Sequence, residues 1–325
     1  HHTILGDDSL FYPLLQYHMG WMDKDGHLET SHAAQGKLLR PVLCLFACDA
    51  LGADWTTAVA AGAALESVHS FSLIHDDIQD GDTERHHRAT LWYVWGRPKA
   101  LVAGNALRSL ADIVIGRLME RGFPPEKVLR ASHLLTRGSL DMIQGQYLDL
   151  SFEVRLDVRL RNYLAMIALK TGSLIRCSME LGALLASEEE AAIRSFAQAG
   201  RFLGLAFQIR DDVLGIWGDE SATGKGVGND IQRKKKSFPV VFALERASDS
   251  HREILRKVYS KPAISDQDAE QVLGILDNLG AQAYAHQRTQ ENVRLALAEM
   301  EKVQLPSWAR QEAADLAEFL VARQF

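Results

Sequence analysis

Apolar residues recur at helical spacing along most of this chain, in segments far longer than a strand. The Ala- and Leu-rich stretches 57–80, 98–121, 126–150, 158–187, 189–218, 264–279 and 282–302 each predict a helix. The eight prolines fall mostly where such helices would start or in the loops between them. Alternating β-branched runs bounded by Asn-Gly or Asp-Gly turns are nearly absent, so the expected class is all-α. Stretches such as TAVAAGAALESVHSFSLIH and AGRFLGLAFQIRDD are apolar around most of their circumference, as befits helices inside a large bundle. The segment 219–237, DESATGKGVGNDIQRKKKS, is glycine-rich and charged and predicts a loop. With no repeat and no low-complexity linker, a single domain is expected.

Composition narrows the function classes. A net charge of −6, with scattered basic residues, argues against nucleic acid, whose phosphates call for a basic face. Of three cysteines, Cys44 and Cys48 lie four apart in PVLCLFACDAL and read as core thiols on one helix face; with no disulfide or zinc spacing, a reducing cytoplasm is expected. The start, HHTILGDD, lacks the features of a signal peptide, and residues 1–10 are expected to be disordered or tag-derived. No apolar run is expected to approach the ~18 residues of a membrane span.

The segment SLIHDDIQDGD changes the picture. An apolar run enters four acids, Asp76, Asp77, Asp80 and Asp82, and burying unpaired carboxylates is costly. On a helix Asp76 and Asp80 share a face and Asp77 lies three from Asp80, so the trio can converge on one or two cations. A second apolar helix ends the same way, with Asp211 and Asp212 in FQIRDDVLG. Mg²⁺ suits such oxygen ligands, taking one or two carboxylates together with substrate phosphates. A lone DDxxD is weak, since solvated acids at helix ends are common; two copies on apolar helices are much stronger. Basic residues lie nearby in sequence: Lys37 and Arg40 in GKLLRP, Arg85, Lys170 in MIALKTGSLI, and Lys225 and Lys235 around the glycine-rich loop. Most such residues are ordinary solvated surface, but Lys170 would bury an ammonium unless an anion meets it.

The ordered motifs GKLLRP, HDDIQD with ERHHRAT, LWYVWG, GNAL, GQYLDL, KTGSL, and FQIRDD with GKGVGNDIQRKKKSFP span roughly residues 11–320. In that order they resemble the polyprenyl synthetase family of trans-prenyl diphosphate synthases, and 11–325 is expected to be one such domain. The resemblance implies an all-helical isoprenoid-synthase bundle around a central cavity, usually a homodimer. It also implies condensation of isopentenyl diphosphate with an allylic diphosphate (dimethylallyl, geranyl or farnesyl) with three Mg²⁺ ions.

By the same resemblance Asp76, Asp77 and Asp80 hold two ions, and Asp211 with Asp212 the third. Arg85, Lys170, Lys225 and Lys235 grip the allylic diphosphate. Lys37, Arg40 and His69 bind isopentenyl diphosphate, and Thr171 and Gln208 line the carbocation's position. The family's second arginine after Arg85 is here His86, which carries full charge only below ~6.5, implying weaker binding of that substrate. Other departures are Ala89 for proline, Asn105 for aspartate and Gly215 where many members have a third acid. Phe71, about 7 Å before Asp76 along a helix, occupies the position where an aromatic ring accompanies short products, with Ser72 beside it; the plainer reading is that Phe71 packs in the core. A C20 product is expected, then C15. A class I terpene cyclase, which needs no isopentenyl diphosphate site, and a weakly active modulatory subunit are the alternatives.

Overall fold

The computed structural model describes residues 11–29, 38–86, 88–218 and 228–322; stretch 1–10, Lys37 and Lys225 lie outside them. Among the described residues fifteen α-helices follow one another. These are α1 Tyr12–His18, α2 Leu39–Ala50, α3 Val59–Asp80, α4 Leu91–Trp95, α5 Arg97–Gly116, α6 Pro125–Glu153, α7 Leu160–Lys170 and α8 Gly172–Ala186. They continue with α9 Glu190–Trp217, α10 Asn229–Gln232, α11 Phe238–Arg246, α12 Asp249–Tyr259, α13 Asp266–Asn278, α14 Ala281–Met300 and α15 Ser307–Ala322. The described chain is all-α apart from one antiparallel pair, β1 Glu84–Arg85 with β2 Arg88–Ala89, and an isolated bridge between Met22 and Leu28. The predicted helix 158–187 breaks at Thr171 into α7 and α8. In the predicted loop, the described part holds one helical turn, α10, entered from Gly228 at φ 80°.

The fold divides into two compact units, His1–Ser139 with Cys177–Glu189, and Leu140–Arg176 with Glu190–Phe325. In the first, α3 lies along α5 and against α2. Its inward positions Ala61, Ala64, Leu65, Val68 and Ile74 are buried. Each of the larger ones contributes about 1.5–3 kcal/mol by leaving water. Contrary to expectation, one stretch among the described residues, Trp55–Asp80, is long and apolar enough by composition to cross a membrane. Apart from the exposed Trp55 and Val59, its large apolar side chains pack inward, the use a core helix makes of them. The helix stops at Gly81, whose φ of 71° the missing Cβ permits.

In the second unit α9 lies along α14. Phe152, Tyr163, Met166, Ile167, Ile209, Val213 and Phe238 share one apolar cluster, which fixes α7 and the start of α11 on the C-terminal half of α9. A second cluster joins α10 to α13 through Ile231, Val240, Leu255 and Val272. Ser265 and Asp268 close a capping box that starts α13.

Candidate active site

The first acidic group occupies the last turns of α3. Asp76 is half-buried and Asp80 exposed on one strip of the helix, whereas Asp77, turned about 100° from Asp76, is buried. Arg85 reaches Asp77 with two donors, Nε at 2.8 Å and Nη2 at 2.7 Å from Oδ1. Burial raises the Asp77 pKa, and Arg85 works against that rise. The chain after Gly81 is what delivers Arg85. Thr90 Oγ1 and Trp92 Nε1 both donate to the Asp82 carbonyl, at 2.8 and 2.7 Å, which pins the turn. The β1–β2 hairpin then returns with His86 at φ 50°, a left-handed conformation uncommon outside glycine.

The same unit gathers arginines with two histidines that stay neutral, His69 and His18. Arg40 is half-buried with its Nε fully enclosed, and among the described residues no group accepts from that Nε; desolvation lowers its pKa to about 10 against the attraction of Glu66. His69 is driven well below its ordinary value by burial and then by Arg40, Arg85, His18 and His86. His18, on α1, falls to about 3 by burial and the neighbouring charges of Arg85, His86 and Arg88. Burial is the first cause of each of these shifts, and the neighbouring positive charges add to it for the two histidines. Nothing along the chain marks His18 for this place, because its approach to α3 is purely tertiary.

The second acidic group, at the end of α9, is wired more densely. Asp212 is fully buried and accepts from four donors: Tyr163 Oη, the Phe238 N–H at 2.9 Å, Gln208 Nε2 at 3.1 Å and Lys235 Nζ at 3.4 Å. Thr171 Oγ1 donates to Gln208 Oε1 at 2.6 Å, so the Gln208 amide is oriented from both ends. Burial would lower Lys235, yet Asp212 and Asp230 outweigh it and hold the ammonium well above its ordinary pKa. Asp230 Oδ2 sits 3.2 Å from Lys235 Nζ. A Cβ at Gly215 would collide with that same oxygen. The space beside Gly215, where the resemblance led to an expected third acid, is thus filled by the Asp230 carboxylate from α10, which sequence reading missed; the acid in GVGND, beside a glycine at 215, was the available signal.

Lys170 does meet an anion, but one from the protein, Asp149 Oδ2 at 2.6 Å. Gly145, one turn before Asp149 on α6, is what lets α7 come so close: a Cβ there would run into the Lys170 backbone nitrogen. Of the chain-length pair, Phe71 is buried and Ser72 Oγ donates to the His69 carbonyl at 2.7 Å. The first unit therefore assembles Asp76, Asp77, Asp80, Arg85, His86, Arg40 and His69. The second assembles Lys170, Thr171, Gln208, Asp211, Asp212 and Lys235. In each pair the second aspartate is buried on a cation, and the first, Asp76 or Asp211, is half-buried.

Residues 26–276 match the polyprenyl synthetase family. The (2E,6E)-farnesyl diphosphate synthase of Mycobacterium tuberculosis is 35% identical over 320 residues, covering 98% of this chain and 87% of the relative. The geranylgeranyl diphosphate synthase of the same organism is 37% identical over 282 residues, 87% of this chain and 79% of the relative. Among solved structures, a polyprenyl synthetase from Streptomyces coelicolor superposes with a TM-score of 0.89 at 33% identity, covering 98% of this chain and 94% of that one. With a family match over residues 26–276, relatives 35% and 37% identical across most of the chain and a shared all-helical fold, this chain belongs to the polyprenyl synthetases.

Proposed function

We propose that this chain is a short-chain trans-prenyltransferase, joining isopentenyl diphosphate to an allylic diphosphate to give an all-trans prenyl diphosphate, C20 first and C15 next. One observation carries the reading: Arg40, whose enclosed Nε has no acceptor among the described residues, amid His69, His18, Arg85 and His86. A cyclase ionising a single diphosphate has no use for a second anion site, and this cluster supplies one for isopentenyl diphosphate, with Lys37 joining it. The names of the mycobacterial relatives support the same product range.

The donor chemistry fits Mg²⁺. Asp76 and Asp80 offer hard oxygen ligands on one strip of α3, and Asp211 offers another at the end of α9. Among the described residues no three His, Cys, Asp or Glu side chains are grouped to hold an ion, so the expected convergence of Asp76, Asp77 and Asp80 is not seen, and substrate phosphates and water would have to complete the shell. Bound Mg²⁺, three ions in this reading, neutralises negative charge developing on the leaving diphosphate. Asp77 and Asp212 keep Arg85 and Lys235 in place, and with Lys170 and Lys225 these cations grip the allylic diphosphate. Its C–O bond breaks with the electron pair leaving on oxygen. The isopentenyl double bond attacks the resulting cation, and a proton passes to the released diphosphate. Thr171 and Gln208 set oxygen dipoles beside that cation. Three buried free thiols suit a reducing cytoplasm. Leu101, Val102 and Ile113, exposed on α5, suit cover by a second copy in a homodimer.

Incubation with Mg²⁺ and farnesyl diphosphate, with and without isopentenyl diphosphate, tests the proposal. A longer diphosphate formed only with both substrates is expected. A hydrocarbon or alcohol from one substrate indicates cyclisation, and no turnover indicates a modulatory subunit.

A further inference from the structure

On the strip of α3 beside the first acidic group, Phe71 and His75 stand one turn apart, and their rings meet edge to face, centroids 4.9 Å apart at 78°. The imidazole is held on two further sides. Its Nε2 lies 3.3 Å from the carbonyl oxygen of Leu101 on α5. A carbonyl can only accept, so Nε2 is the protonated nitrogen. Below the ring α5 carries Gly104, where a Cβ would stand 2.5 Å from both Cδ2 and Nε2 of His75. Contacts that short do not occur, so the glycine makes a notch and the imidazole fills it.

We propose that His75 and Gly104 together fix where the Phe71 ring stands, and thereby how long a prenyl chain the enzyme releases. The inference rests on the condensation activity proposed above and on the reading, given by the family resemblance, of buried Phe71 as the residue that limits product length. A phenyl ring on an i, i+4 neighbour keeps its rotamer only while its partner keeps its own. Here the partner is locked by a hydrogen bond and by a missing side chain on the facing helix. His75 is thus a positioning residue that acts through Phe71. Without the imidazole, Phe71 turns into the vacated notch and its limit on product length relaxes.

The test compares products from farnesyl diphosphate and isopentenyl diphosphate, resolved by mass, for wild type and for His75→Ala, Gly104→Ala and Phe71→Ala. The double variants of His75→Ala with each of the other two complete the set. His75→Ala is expected to raise the share of chains longer by at least one isoprene unit several-fold, and to add nothing to Phe71→Ala. Gly104→Ala is expected to change the distribution in the wild-type background but not beside His75→Ala, where the added methyl meets no ring. Unchanged products in His75→Ala, or shifts that simply add in either pair, overturn the inference. If His75→Ala unfolds, His75→Asn, which keeps a donor for Leu101 but lacks the ring, is read by the same criteria. A wild type that forms no longer diphosphate overturns the condensation reading itself, a result distinct from unchanged product length in a working enzyme.

Discussion

The two acidic groups share a dipeptide and differ in how its second residue is held. Asp77 depends on one arginine delivered by a short hairpin, and that arginine is 29% exposed. Asp212, fully buried, takes donors from α7, from α9 itself, from Lys235 and from the first residue of α11. A carboxylate with one partner near water is a local device, whereas one with four partners and no water is a joint on which a unit is assembled.

That contrast is sharpest under mutation. Asp212→Ala leaves Tyr163 Oη, Gln208 Nε2 and the Phe238 N–H without their acceptor and Lys235 with Asp230 alone. Breaking a buried pair from one side costs about 3–5 kcal/mol, so a large fall in Tm or loss of soluble protein is expected. Asp77→Ala should lower Tm far less, because Arg85 can turn to solvent, while turnover still falls. Equal losses of Tm in the two variants would erase the distinction.

Arg40 probes the opposite imbalance, a half-buried cation whose enclosed Nε has no acceptor among the described residues. Arg40→Met removes an unsatisfied donor, so the unliganded protein should hold or gain Tm, while the Tm rise on adding isopentenyl diphosphate disappears. A destabilised protein that keeps its ligand response would contradict the anion-site assignment.

The histidines give the first unit a pH dependence near neutrality. His18, lowered to about 3, and His69, lowered well below its ordinary value by burial and neighbouring cations, stay neutral in the fold, whereas in the unfolded chain they titrate near 6.5. The unfolded state therefore binds more protons below pH 6.5, and stability is full above that value and falls as pH drops. Each histidine contributes up to roughly 1.4 kcal/mol per pH unit. Thermal melts from pH 7.5 to 5 should show the decline, and His18→Gln should flatten it.

The smallest effect is expected at His86. His86→Arg restores a permanent charge to the anion cluster and should lower the KM for isopentenyl diphosphate a few-fold. A slight loss of Tm should accompany it, since φ 50° suits histidine better than arginine. A raised KM would remove position 86 from the site.

Much of this was legible in the chain. Long apolar runs predicted the helices because burial on all sides leaves little room for polar positions, and the aspartate pairs stood out against them. Partners brought by tertiary packing were not legible. His18 sits in YPLLQYH with nothing local to mark it, and Asp230 is explained only by the space at Gly215. For Lys170 the sequence correctly demanded an anion but could not say that Asp149 would be it, because Gly145 sets that approach. The membrane-length run Trp55–Asp80 escaped notice because its alanines and serines dilute the apolar signal without ending it.

The Lys170–Asp149 pair also shapes selectivity. An ammonium already satisfied by an internal carboxylate offers little to a singly charged visitor, which would have to displace an equal. In the proposed reaction a polyanion would bring more charge than Asp149 can match, so this lysine would yield to a diphosphate before a singly charged competitor.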